Sequence, residues 1–129
     1  MMYCLRVLIA LSMVVPTIAS ADPKGWVALG LPNGESSMYY DPSSVHEVEG
    51  GFKTIVSVIN YLNEQGQFES LISATLYDCQ NTSKLDHFTI QHSLHWGDGE
   101  VIAKSGVDEQ WRPVKPKTNG MVLFRVACR

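Results

Sequence analysis

The chain has 129 residues, 45% of them hydrophobic, with ten Lys and Arg against thirteen Asp and Glu and a formal net charge of −3. That length fits one domain with a modest core, and the acidic balance disfavours nucleic-acid binding by phosphate neutralisation. No apolar stretch reaches the roughly 20 residues that a transmembrane helix needs.

Residues 1–21 read as a signal peptide. Arg6 supplies the positive start, the apolar run 7–15 is broken only by Ser12, and Ala19-Ser20-Ala21 forms a small-residue cleavage site before Asp22. Cleavage there leaves residues 22–129 as a single domain, with nine cations against thirteen anions, a net −4. Cys4 lies in the charged start and not at the end of the apolar run, so the sequence carries no lipid-anchor motif. The expectation is an exported protein of the periplasm or the cell surface.

Export decides the chemistry of the thiols. Two of the three cysteines, Cys79 and Cys128, survive cleavage and enter an oxidising compartment, where pairing is the ordinary outcome. A metal site would want more His or Cys at ligand spacing, and a catalytic thiol would want its partner free. Closing that loop is worth roughly 4 kcal/mol in the chain-entropy treatment. Cys128, one residue from the terminus, would then staple the last element to the body.

In chain order, segments rich in Val, Ile, Tyr, Phe and Thr alternate with turn signals, as strands do. Residues 26–30 and 37–40 supply the first strands. Segments 52–62 and 68–79 are longer, with apolar residues on both faces mixed with Ser, Thr or Asn, as central strands show. The connection 63–67 contains Gly66 and makes them an antiparallel hairpin. Residues 87–96 alternate cleanly, with Phe88, Ile90, His92, Leu94 and Trp96 on one parity, and predict a half-buried strand. Gly97-Asp98-Gly99 turns it into another at 100–104, for about six strands in a meander. The final segment, 120–129, fits a strand by propensity. It equally fits a helix capped by Thr118 with Met121, Phe124 and Cys128 on one face.

Several features in order carry a family resemblance: Trp26-Val27-Ala28-Leu29-Gly30, then Tyr39-Tyr40-Asp41-Pro42-Ser43-Ser44-Val45, Tyr77-Asp78-Cys79, Trp111 and Cys128. The set resembles the surface-adhesin protein E family of Gram-negative bacteria over nearly all of residues 22–129. The resemblance implies an α+β fold, an antiparallel sheet with a C-terminal helix packed on one face and joined to it by Cys79–Cys128. It thereby favours helix for 120–129, and it implies adhesion to host extracellular-matrix or serum proteins.

Other chemistry finds less support. His92 and His95, three apart in a strand, would point to opposite faces, while His87 and His95 would share a face about 26 Å apart, too far for one metal. His92, on the apolar face, is expected to be a core histidine with its hydrogen bonds satisfied. No nucleophile elbow occurs, so no catalytic residue is assigned, and no metal or cofactor is expected. Asn81-Thr82-Ser83 reads as a surface turn. Residues 111–117 set Arg112, Lys115 and Lys117 around two prolines in a stiff loop, candidates for contact with a protein partner. Trp111 is expected to plug the core. The reading is a non-catalytic binding module; the alternative is a periplasmic protein binding a small ligand such as haem.

Overall fold

A computed structural model of the protein describes residues 25–30, 36–65 and 68–129; the expected signal peptide lies outside them. Strands β1 (Val27–Leu29) and β2 (Ser36–Tyr40) come first, followed by a 3-10 turn at Pro42–Ser44. Its polar side chains account for the turn. Asp41 Oδ1 accepts the Ser43 amide at 2.9 Å, and Ser44 Oγ accepts the Val56 amide at 2.8 Å. Strand β3 (His46–Val48) then turns through Gly50 and Gly51 into β4 (Phe52–Gln65). Both glycines adopt positive φ, 89° and 77°, and a Cβ on Gly50 would meet Phe52 Cε2 at 2.9 Å.

Strands β5 (Phe68–Asp78), β6 (Ser83–His92), β7 (Val101–Ser105) and β8 (Arg112–Pro113) follow, and then helix α1 (Asn119–Ala127). The sheet is antiparallel with the order β1-β2-β4-β5-β6-β7, which is the expected six-stranded path. Two short strands add to it: β3 shares the edge of β4 with β2, and β8 shares the edge of β6 with β7. The expected hairpin is present, with its strands extended to Gln65↔Phe68.

The register sorts side chains onto two faces. Ile55, Tyr77 and Met38 face α1 and form the main core with Val114, Leu123, Val126 and Ala127, all of them buried. Val58, Ala74, Asn60 and Ser70, of opposite parity on β4 and β5, are buried on the other face. The last segment is therefore helix. Thr118 caps it, Oγ1 accepting the Met121 amide at 3.2 Å, and the buried stripe Leu123, Val126, Ala127 gives it a sheet to pack on. Cys79 and Cys128 are joined by a disulfide, with Cα atoms 5.6 Å apart, linking the end of β5 to the end of α1.

The segment 87–96 departs from expectation at both ends. Strand β6 starts earlier, at Ser83, and stops at His92, because Ser93 to Glu100 form a wide turn. Ser93 N donates to Glu100 O at 2.9 Å, and Trp96 and Gly97 have φ of 66° and 70°, which no strand tolerates. The pairing also skips a residue between Phe88↔Ala74 and Asp86↔Thr75, leaving His87 as a bulge.

Candidate partner-binding site at the basic end of the sheet

The helix face ends in a row of residues fixed by strand register. Tyr77 pairs with Lys84, and Lys84 with Arg112, so that these three side chains share one face beside the N-terminus of α1. A cavity of about 440 Å³ opens there, and Lys84, Arg112, Lys115, Thr118 and Gly120 all line it. Of the three cations expected from the loop, the structure brings Arg112 and Lys115 to this cavity; Lys117, exposed in the turn before α1, is not among its lining residues. Lys84 was not legible as a partner. Its signal is the pairing with β8, a two-residue strand with two non-hydrophobic-pattern residues that no periodicity marks.

Local chemistry holds the loop in place. The Val114 amide donates to Thr82 O at 2.9 Å, and its side chain is buried in the core. Thr118 Oγ1 donates to Lys115 O at 2.7 Å while capping α1, which couples the basic loop to the helix. Arg112 Nε donates to Asp108 Oδ2 at 2.8 Å, and Lys84 Nζ lies 3.6 Å from Asp86 Oδ1. The Gln110 amide, with Arg112 contributing less, holds the Asp108 carboxyl below its ordinary pKa. At the inner wall, Tyr77 OH donates to Gly120 O at 2.9 Å, and its ring meets Phe124 edge-on at 5.7 Å. Burial, with Asp86 second, raises the Tyr77 phenol well above its usual range.

Three expectations are corrected. Trp111 is no core plug: it is 39% exposed and leans on Phe52, ring centroids 4.7 Å apart, because the adjacent strand β8 sits at the sheet margin. His92 is not satisfied, since its buried Nδ1 has no hydrogen-bond partner among the described residues. Gly97 lies beside that ring: a Cβ built there would stand 3.8 Å from His92 Cδ2. His95 does not share a strand face with His87, because it belongs to the 3-10 turn His95–Gly97, where Nε2 stands 3.0 Å from Tyr61 O. Asn81 and Thr82 do lie in a surface turn, with Asn81 Nδ2 donating to Asp78 Oδ2 at 2.8 Å, while Ser83 already opens β6.

On the opposite face, the 93–97 turn is clamped by buried polar side chains. Ser70 Oγ donates to Leu94 O and accepts the Gly97 amide at 3.0 Å, while Asn60 Oδ1 accepts the Trp96 amide at 2.8 Å. Trp96 packs on Tyr39, centroids 4.5 Å apart.

Comparison with known proteins agrees with this architecture. No curated protein matches the chain. Among solved structures, crystal form II of Haemophilus influenzae protein E matches with a TM-score of 0.62 at 18% identity, covering 81% of this chain and 87% of that one. Another structure of Haemophilus influenzae protein E gives 0.60 at 18% identity, over 81% and 83% of the two chains. Protein E from non-typeable Haemophilus influenzae gives 0.59 at 18% identity, over 81% and 75%. These likenesses establish the shared fold. The family model for surface-adhesin protein E matches residues 26–129, and the chain belongs to that family.

Proposed function

We propose that residues 1–21 are removed on export and that the remaining single domain is a non-catalytic adhesin, holding a host extracellular-matrix or serum protein at the cell surface. Membership of the surface-adhesin protein E family supports the adhesive role. The observation that carries the site is the gathering of cations on an acidic protein: Lys84, Arg112 and Lys115 around one cavity, with Lys117 close by in sequence. Such a patch steers an acidic partner surface and fixes its register, and the steering weakens as salt rises. No nucleic acid, cofactor or metal is required by this reading.

The test is retention of the exported protein on immobilised matrix and serum proteins over a salt series. Retention that falls with salt, and falls further in Arg112→Gln and Lys115→Gln, supports the reading; no retention at any salt concentration overturns it. Protease shaving of intact cells should remove the protein, because adhesion requires surface exposure and a periplasmic protein would be spared.

A further inference from the structure

The basic cavity does not end at Lys84. A second cavity of about 230 Å³ lies between the sheet and the first turn of α1, and Lys84 and Gly120 line both. Its floor is a row of hydroxyls set by register: Ser57 pairs with Ser73, and Ser73 with Thr89, while Thr75 stands two residues along β5. Ser57 and Thr75 are only 2% and 4% exposed, and both line this cavity beside Ser73 and Thr89. Each hydroxyl facing the cavity offers a donor and an acceptor, so the row is a surface suited to a polar occupant.

We propose that this trough binds an acidic saccharide, a sugar bearing a sulfate or a uronic carboxylate. The acidic group sits at the outer cavity. Lys84 and Arg112 each keep a carboxylate, Asp86 and Asp108, but an ammonium offers three donors and a guanidinium five, so both have donors to spare. Lys115 has no carboxylate partner among the described residues, which leaves the cavity with three cations against two anions. The Asn119 and Gly120 amides, in the first turn of α1, precede its first intrahelical bond and add positive potential at the same end. The sugar ring lies in the inner cavity. Serine and threonine hydroxyls both donate and accept, as sugar hydroxyls do, whereas an acidic peptide side chain only accepts and would use the row for its donors alone.

This deepens the adhesin reading, resting on the same basic loop and naming glycan as part of what that loop grips. The experiment is a calorimetric and NMR titration of the exported, disulfide-bonded protein with three probes: a heparin-derived tetrasaccharide, neutral maltotetraose and a hexaglutamate peptide. The tetrasaccharide should bind and shift the amides of Ser73, Thr75 and Lys84, with the other two probes at least tenfold weaker. Lys84→Gln should weaken it by roughly tenfold, the scale of one charge-assisted hydrogen bond. Thr75→Val, which keeps the side-chain shape, should weaken the tetrasaccharide and leave the hexaglutamate unchanged. Unaltered melting temperatures show that both variants are folded. Equal binding of hexaglutamate, or indifference to Thr75→Val, overturns the proposal in favour of charge alone. Retention on an enzymatically deglycosylated matrix protein is measured alongside. Retention there without tetrasaccharide binding overturns this inference and leaves the adhesin reading standing.

Discussion

The two faces of the sheet are closed by opposite means. On one, α1 lies over Met38, Ile55 and Tyr77, capped by Thr118 and tethered by Cys79–Cys128. On the other, the 93–97 turn is pinned by hydrogen bonds to Ser70 and Asn60 and by Trp96 on Tyr39, with no covalent link. The helix cover is apolar and cross-linked; the turn cover is polar and local. A nine-residue helix is marginal alone, so it depends on its packed face and its tether, whereas a turn needs only its backbone groups satisfied. The basic cavity stands where the first of these covers begins, at the N-terminus of α1, so its geometry depends on the helix remaining docked.

The largest expected effect comes from breaking the tether. Cys128→Ser should cost about 2–5 kcal/mol, because the loop of separation 49 is released in the unfolded chain. An unchanged melting temperature in oxidising buffer would show that the bridge holds nothing. Next comes the polar clamp. Ser70→Ala removes two part-buried hydrogen bonds, to the Leu94 carbonyl and from the Gly97 amide, and should cost about 1–3 kcal/mol, read by urea denaturation. A change of a few tenths would mean that the turn finds other partners.

Smallest is the phenol. Tyr77→Phe should cost about 0.5–1.5 kcal/mol at neutral pH through loss of the bond to Gly120. It carries a pH signature as well. A phenol pKa raised in the folded state keeps its proton there while the unfolded chain loses it, so the stabilisation is full below the ordinary value of 10.0 and declines as pH rises above it. The variant should lack that part of the alkaline decline, and melts at pH 7 and pH 10.5 that fall in parallel with the parent would contradict it.

Much of this was legible in the sequence because it rests on local rules. The long strands follow from β-branched and aromatic runs, and the 41–44 turn from Asp-Pro-Ser-Ser. Even the helix was visible as Thr118 and a stripe of apolar residues, although propensity alone left strand as open as helix. The failures share one cause, which is long-range placement. Leu94 and Trp96 continue the alternation of β6, but Trp96 is apolar because Tyr39, more than fifty residues away, waits beneath it, and Leu94 is 53% exposed. Lys84 lies outside the strand expected at 87–96, and only β6's earlier start and β8 bring Arg112 opposite it. The hydroxyl row is equally invisible along the chain, since Ser57, Ser73 and Thr89 meet only through register.

Hydrogen exchange with and without reductant tests most directly whether the two covers are held independently. Reduction of Cys79–Cys128 should speed exchange across Asn119–Ala127 and leave the amides of Trp96 and Gly97 as protected as before. Loosening of both covers together, or of neither, would contradict the account.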